Sequence, residues 1–286
     1  MDQTPRQRRF VRSVVDRQSK IQNPKSKIPM VIDCHMHVRA AKDGSLDTEY
    51  CDATIEAGDL LGIDLFCVVD LQLTGPLTYV EFHAANERVK QAIARHPTRY
   101  RGYCYVNPSD PKALDEIRER VKNDGFIGVK LYNQHFIDDD VVAPVLKLAS
   151  EWQIPVLSHA GRPNDPVTQK LQPHISDAAR FVRVAQRFPE LILIEGHIGG
   201  GGDWEWALKH LRESETVYLD TSGSVIDEWM VDRAVEAVGV DRLLFATDMT
   251  MEGGVGKILD ANLTDEERAR VLGANFEAIL RKRAVP

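Results

Sequence analysis

The feature that most constrains the fold is an alternation of short apolar segments and segments with helical period, running from Met30 to the end of the chain. Eight apolar segments have the length of buried strands, and a helical segment follows each one. The predicted strands are 31–37, Ile63–Asp70, Tyr100–Asn107, Phe126–Tyr132, Pro155–His159, Leu191–His197, Val217–Thr221 and Leu243–Asp248. Strict alternation implies a parallel sheet, and eight such units match the roughly 250 residues of a (β/α)8 barrel. We therefore predict the α/β class, as a single-domain (β/α)8 TIM barrel, with an open doubly wound sheet of fewer strands as the alternative.

The helical segments complete this pattern. The first helix, from about Asp52 to Leu61, is predicted to be short. The last helix is preceded by Thr264 and carries Glu267 three residues later, the spacing of a capping box. This last helix is Asp265–Arg281, and the other predicted helices are Glu81–His96, Pro111–Asn123, Asp139–Trp152, Ser176–Phe188, Trp204–Arg212 and Ile226–Val238.

Composition and charge exclude several classes of protein. The chain has 286 residues, of which 43% are hydrophobic and 28% charged, with a formal net charge of -7. An acidic chain without an apolar run of about 18 residues suits neither a nucleic-acid surface nor a membrane span, so we expect a small-molecule partner. The four cysteines have no CxxC spacing and three lie in predicted strands, which favours a reduced, cytoplasmic protein. The sequence is compatible with a homodimer.

The start of the chain differs from the rest in charge. Residues 1–30 hold eight Lys or Arg against two Asp, a local charge of +6, so residues 31–286 carry -13. This start has neither the long amphipathic pattern of a transit peptide nor the hydrophobic segment of a secretory signal. We predict that residues 1–29 are a disordered extension, or result from an upstream start that misses the true one at Met30. The barrel is expected to occupy residues 30–286.

The first predicted strand ends in two histidines two residues apart. Because side chains alternate along a strand, Asp33, His35 and His37 share one face, while Cys34 and Met36 belong to the other. An ordinary half-exposed strand shows the same alternation, so an isolated His-x-His predicts little. The motif gains weight because further histidines and an aspartate recur at the ends of other predicted strands.

Chemistry in such a barrel takes place where the strands end, at the C-terminal mouth. Polar residues occupy those positions: His35, His37, Asp70, Asn107, Lys130, Tyr132, His159, His197, Asp220, Thr221 and Asp248. Four of the nine histidines lie at the ends of strands one, five and six. Imidazoles and a carboxylate are the donors that hold a divalent ion such as zinc with a position left for water. The sequence therefore predicts a metal site at the mouth.

Five motifs together resemble the amidohydrolase superfamily, specifically its amidohydrolase 2 branch. They occur in order, at the spacing of barrel strands, at residues 33–37, 128–131, 154–161, 197–200 and 244–248. The resemblance extends from Met30 to the region of Asn275. It implies a TIM barrel with metal-dependent chemistry, either hydrolysis, including that of lactones, or non-oxidative decarboxylation of the aminocarboxymuconate-semialdehyde and resorcylate kind.

The resemblance also implies roles for individual residues. The metal ligands would be His35, His37, His159 and Asp248, and His197 would lie beside the metal-bound water or the substrate. We expect one divalent ion, with zinc ahead of manganese. Lys130 would either stay unmodified and orient a substrate carboxylate, which we favour, or be a carbamylated bridge between two metals.

Further expectations concern the ligand. Four residues are candidates for contact with the substrate: Lys130, Tyr132, Asn107 and Arg162. The glycine run at 199–202 lacks GxGxxG spacing and a following Gly-Lys-Ser, so no nucleotide cofactor is expected.

The chemistry of a bound metal leads to the predicted function. A divalent ion lowers the pKa of its water and polarises a carbonyl, Asp248 would move the proton, and His197 would stabilise the oxyanion. We therefore predict an enzyme, a metal-dependent hydrolase of a small ester, lactone or amide. The alternative is a metal-dependent decarboxylase of a small unsaturated or aromatic carboxylic acid. A non-catalytic ligand-binding barrel is a distant third.

Overall fold

The computed structural model of the chain describes residues 30–71, 77–162, 165–198 and 204–286. The predicted extension over residues 1–29 and the glycine run at 199–202 lie outside these residues. The other residues outside them are 72–76, 163–164 and 203. Within the described ranges, no helix combines the length and the apolar character that crossing a membrane requires.

Eight parallel strands, paired in the order of the sequence, form the central sheet. They are β1 (Ile32–His37), β2 (Leu65–Val69), β3 (Tyr100–Tyr105), β4 (Gly128–Leu131), β5 (Val156–His159), β6 (Leu193–Gly196), β7 (Val217–Asp220) and β8 (Leu243–Leu244). Two backbone hydrogen bonds join β1 to the segment after β8, from Cys34 N–H to the Phe245 carbonyl (3.0 Å) and from Asp248 N–H to the His35 carbonyl (2.8 Å). The predicted (β/α)8 barrel is confirmed, and the alternative of an open doubly wound sheet is wrong.

At least one helix follows each strand. The helices are α1 (Thr48–Leu61), α2 (Tyr79–Arg95), α3 (Ala113–Asn123), α4 (Ala143–Glu151), α5 (Pro166–Leu171), α6 (Ala178–Arg187), α7 (Trp204–Leu211), α8 (Met230–Val238), α9 (Met251–Asp260), α10 (Asp265–Ala269) and α11 (Asn275–Arg281). The strands β1, β2, β4 and β6 are buried along their whole length, so the strand layer forms the core beneath the helices.

The predicted helices need correction at three places, and one of these is α5, which was not predicted. The first helix is not short, because it starts at Thr48, where the Asp47 side chain accepts a hydrogen bond from Tyr50 N–H and caps it. Helix α9 was not predicted at all. Three of its ten residues are Gly253, Gly254 and Gly256, which have low helix propensity, so tertiary packing overrides the local preference.

The eighth strand is also shorter than predicted. Only two of the residues from Leu243 to Asp248 pair with β7, because Phe245 N–H donates instead to the Val271 carbonyl (2.9 Å). Asp248 and Met249 then adopt positive φ values of 46° and 72°, which turn the chain out of the strand. The C-terminal end of this strand is thus used to present a side chain rather than to extend the sheet.

The last predicted helix is one helical stretch with a wider turn in its middle. A π-helical turn, Arg270–Ala274, separates α10 from α11. A Cβ atom on Gly273 would lie 1.7 Å from the Met30 carbonyl oxygen. Glycine at this position therefore lets the chain enter β1 directly beneath the helix.

One carboxyl group in the barrel wall is buried without a hydrogen-bond partner among the described residues. Glu195 on β6 pairs with Ser158 on β5. Lys130 on β4 pairs with Leu157, the residue before Ser158. Because side chains alternate along strands, Glu195 points away from the face that carries Lys130. Both of its oxygens are buried and unpaired, and burial raises the pKa of Glu195 well above its usual value.

Candidate active site

The four histidines predicted at strand ends come together at the C-terminal mouth of the barrel. His35 and His37 lie on β1, His159 ends β5, and His197 follows β6. The ring centroids are 5.3 Å apart for His35 and His37, 5.1 Å for His35 and His197, and 4.8 Å for His159 and His197. The rings therefore form one continuous row across the mouth.

Asp248 reaches this row from the loop after β8. Its Oδ1 atom lies 2.7 Å from His37 Nε2 and 3.8 Å from His35 Nε2, and its Oδ2 atom lies 3.5 Å from His197 Nδ1. Burial acts to raise the pKa of Asp248, but the three imidazoles outweigh burial and hold that pKa well below its usual range. With 26% of its side chain exposed, Asp248 is more open to a ligand than the three histidines it contacts, His35, His37 and His197.

A buried carboxylate fixes β1 against the loop that carries Asp248. Asp33 Oδ1 accepts hydrogen bonds from the backbone N–H groups of His35 and Thr247, both at 3.1 Å, and Oδ2 accepts from the Thr247 hydroxyl at 2.6 Å. Burial raises the pKa of Asp33 to about 7. Because Thr247 precedes Asp248, this contact sets the position of the site carboxylate.

A further carboxylate, Asp220 at the end of β7, contacts two of the histidines. Its Oδ2 lies 2.8 Å from His35 Nδ1, and its Oδ1 accepts from the backbone N–H of His197 at 2.8 Å. Oδ1 also accepts from the N–H (2.9 Å) and the hydroxyl (2.6 Å) of Ser222. Burial acts to raise the pKa of Asp220, but His35 and the other donors hold it below the usual range. The sequence placed Asp220 at a strand end without a role and gave no signal for Ser222.

Lys130 is fully buried on β4 and points at the same site. Its Nζ atom lies 2.7 Å from His35 Nε2. Burial lowers the pKa of Lys130 to about 8, so its amine stays mostly protonated at neutral pH. Burial and then the Lys130 ammonium lower the pKa of His35 to about 4, so His35 is neutral and accepts this hydrogen bond. A divalent cation held by His35 would have to compete with this ammonium for Nε2.

His159 joins the row of histidines to two polar groups at its outer side. Its Nδ1 lies 2.9 Å from His197 Nε2, and its Nε2 lies 3.2 Å from Gln172 Oε1. Gln172 also contacts the Tyr132 hydroxyl at 2.9 Å, and the Tyr132 ring centroid is 4.7 Å from that of His159. Burial lowers the pKa of His159 well below its usual value. Tyr132 thus lies beside the site, and its role in substrate binding stays a prediction. Gln172 is an addition that the sequence did not indicate.

The other two predicted substrate contacts lie in loops of the mouth. Asn107 follows β3, donates to the Leu77 carbonyl at 3.2 Å and accepts from the Ser109 hydroxyl at 2.9 Å. These contacts shape the turn after β3. The exposed Arg162 holds its guanidinium 4.1 Å from the centre of the Trp206 ring. The roles of both residues in substrate binding stay predictions.

The donor set suits a divalent metal ion. Within the described part of the chain, the ligand atoms of His35, His37 and Asp248 lie within 4.8 Å of one another, as do those of His35, His197 and Asp220. Neutral imidazoles and a carboxylate are ligands that zinc and manganese accept. The first group is the better candidate, because Asp220 already accepts hydrogen bonds at both oxygens. The predicted ligand His159 is outside both groups and faces His197.

Comparison with known proteins places these residues in a known family. The family model described as Amidohydrolase matches residues 32–282, which includes every strand of the barrel. A curated relative, the gamma-resorcylate decarboxylase of Polaromonas sp. (strain JS666), is 25% identical over 214 residues, which are 59% of this chain and 65% of the relative. The match therefore spans less than two thirds of that relative's length.

Solved structures share the fold at low identity. A dihydroxybenzoic acid decarboxylase from Polaromonas sp. JS666, with bound manganese and the inhibitor 2-nitroresorcinol, has a TM-score of 0.68 at 18% identity, covering 91% of this chain and 98% of its own. A 5-carboxyvanillate decarboxylase from Novosphingobium aromaticivorans, complexed with manganese, has a TM-score of 0.69 at 16% identity, covering 88% of this chain and 96% of its own.

These findings correct the predicted function. The expectation of a hydrolase acting on an ester, lactone or amide is wrong, because the curated relative and these structural neighbours are decarboxylases. The motifs could not make this distinction, since both reactions use the same strand-end donors.

Proposed function

Since the chain belongs to the amidohydrolase family, we propose that it is a metal-dependent, non-oxidative decarboxylase of a hydroxylated aromatic carboxylic acid. The observation that carries this proposal is its similarity to the gamma-resorcylate decarboxylase. The buried ammonium of Lys130 supports it, because a cation beside the candidate metal ligands suits an anionic substrate. We propose manganese as the ion, since the related solved structures hold it.

The metal and Lys130 have separate tasks in this proposal. His35, His37 and Asp248 would hold the ion, which draws negative charge onto the oxygens of a bound substrate. Lys130 binds an anionic oxygen of the substrate by a charge-assisted hydrogen bond and leaves His35 Nε2 to the ion. The rings of Tyr132 and His159, with centroids 4.7 Å apart, would be the aromatic groups nearest to a bound aromatic acid.

Asp248 is positioned to move the proton that decarboxylation needs. As an ionised carboxylate at the open side of the site, it takes the proton of a ring hydroxyl and passes it to the ring carbon that bears the carboxylate. The bond from that carbon to the carboxylate then breaks, its electron pair stays in the ring, and CO2 leaves. The hydroxyl regains a proton from solvent. His197, 3.5 Å from Asp248, holds the carboxylate in place during both transfers.

The test is a product assay with the Mn2+-loaded protein in D2O. With 2,6-dihydroxybenzoate as substrate, we expect CO2 and resorcinol that carries one deuterium at the carbon that lost the carboxylate. Asp248→Asn keeps the shape of the side chain but loses the base, so turnover should fall by at least about 10²-fold. Asp115→Asn is the matched control at an exposed position, with no expected effect.

Two results would overturn the proposal. One is the absence of CO2 from 2,6-dihydroxybenzoate and 5-carboxyvanillate when elemental analysis shows that the protein carries manganese. The other is full turnover by Asp248→Asn, which would remove the aspartate from the proton path.

A further inference from the structure

The feature that carries a further inference is the set of hydrogen bonds around Asp220. This carboxylate has four donors: His35 Nδ1, His197 N–H, Ser222 N–H and the Ser222 hydroxyl. All three of these residues and Asp220 itself are buried. A carboxylate with this many donors acts only as an acceptor, so the position of each hydrogen around it is determined.

The contact with His35 fixes which ring nitrogen carries the hydrogen. Because Asp220 Oδ2 can only accept at 2.8 Å, His35 must carry its hydrogen on Nδ1. The lone pair is then on Nε2, which accepts from the Lys130 ammonium and is the nitrogen nearest to Asp248. The imidazole is thus held with its ligating nitrogen toward the metal group.

The same carboxylate acts on His197 through one intermediate hydroxyl. Ser222 Oγ is 2.6 Å from Asp220 Oδ1, so its hydrogen lies in that bond and the oxygen must accept from His197 Nδ1 at 2.9 Å. Asp248 Oδ2 lies 3.5 Å from the same nitrogen, beyond the usual length of a hydrogen bond, so Ser222 Oγ is the acceptor that determines the tautomer. His197 therefore carries its hydrogen on Nδ1, which leaves the lone pair on Nε2, 2.9 Å from His159 Nδ1.

We propose that Asp220 is the positioning residue of the site, which sets the tautomers of two histidines, His35 directly and His197 through Ser222. The proposal rests on the proposed metal site and not on the reaction that takes place there. In Asp220→Asn the amide offers N–H toward His35 Nδ1, which moves the ring hydrogen to Nε2. That hydrogen would point at the Lys130 ammonium and block metal ligation by His35.

The first measurement is ¹⁵N NMR of the histidine rings in the full chain, before and after addition of Zn2+ as a diamagnetic substitute for Mn2+. The second is the affinity for Mn2+, measured by titration. In the unaltered chain we expect His35 and His197 as the Nδ1–H tautomers. Asp220→Asn should convert His35 to the Nε2–H form and weaken Mn2+ binding by about 10- to 100-fold. Ser222→Ala should change the His197 tautomer and leave His35 as the Nδ1–H form, because Asp220 still accepts from His35 Nδ1.

A matched control lies next to Ser222 in the same loop. Thr221→Val also removes one buried hydroxyl, which accepts from Ala246 N–H at 3.2 Å and touches no histidine, so both tautomers should persist. If Asp220→Asn fails to fold, the spectrum of Ser222→Ala still tests the proposal through the His197 tautomer. Unchanged tautomers in the variants would overturn the proposal, whereas a chain with these tautomers and no decarboxylase activity would refute only the proposed function.

Discussion

The unpaired carboxyl of Glu195 should make the stability of the barrel depend on pH. Burial, followed by the nearby charges of Asp177 and Asp220, raises the pKa of Glu195 in the folded chain well above that of an exposed glutamate. The folded state therefore keeps a proton that the unfolded state releases. Stability from this group is fully present below the unfolded-state pKa and is lost as pH rises toward the folded-state pKa.

The size of the effect follows from this difference in bound protons. Between the unfolded-state pKa of about 4.3 and the folded-state pKa, each pH unit removes about 1.4 kcal/mol of unfolding free energy. Glu195→Gln has nearly the same shape and does not titrate, so it lacks this slope. The variant should match the unaltered chain near pH 4 and exceed its stability by a margin that grows by about 1.4 kcal/mol per pH unit above pH 5.

The assay is urea unfolding at a series of pH values, with the free energy obtained by linear extrapolation. Glu205→Gln, at an exposed position on α7, is the matched control and should follow the unaltered chain at every pH. Parallel curves for Glu195→Gln and the unaltered chain would refute the reasoning, because they would show that Glu195 is ionised or partnered in the folded state.

Three further predictions concern the metal site and the last helix. His37→Ala removes an imidazole 2.7 Å from Asp248, so elemental analysis should find less Mn2+ per chain with little change in melting temperature. Lys130→Met removes the cation that contacts His35 Nε2, so titration should show tighter Mn2+ binding. KM for the aromatic acid should rise about tenfold or more, because a charged hydrogen bond to the substrate is lost. An unchanged KM would exclude Lys130 from substrate binding. Gly273→Ala places a Cβ against the Met30 carbonyl and should cost about 1–3 kcal/mol in urea unfolding, whereas Gly256→Ala, with open space around it, should be neutral or stabilising.

The sequence was sufficient for the fold because each barrel unit has a local pattern. Strand bounds were predicted within a few residues, since apolar runs and their flanking turns are local features. Prediction from the sequence failed at β8, where the chain bends to present Asp248, and at α9, a helix that contains three glycines. At those places contacts with distant parts of the chain determine the conformation, and no local pattern reports them.

The site was only partly predictable, for a related reason. His35, His37, His159 and Asp248 were predicted as ligands of one ion, because strand ends of a parallel barrel meet at one mouth. Of these four, the ligand atoms of His35, His37 and Asp248 lie within 4.8 Å of one another, and His159 is outside that group. Ser222 and Gln172 were missed because a single serine or glutamine in a loop has no spacing that distinguishes it from a solvated residue. The choice between hydrolysis and decarboxylation lay beyond the motifs, because the metal donors alone do not determine the substrate.

The seam between β1 and the β8 loop has a consequence for biosynthesis. Asp33 and Thr247 are 214 residues apart in the sequence, and the hydrogen bonds between them join β1 to the loop after β8. The candidate metal ligands His35, His37 and Asp248 lie on these two segments. During synthesis His35 and His37 leave the ribosome early, yet they cannot meet Asp248 until the final strand has been made. Contacts of such long sequence separation form late in folding. A nascent chain that ends before residue 248 therefore has the two histidines without this carboxylate.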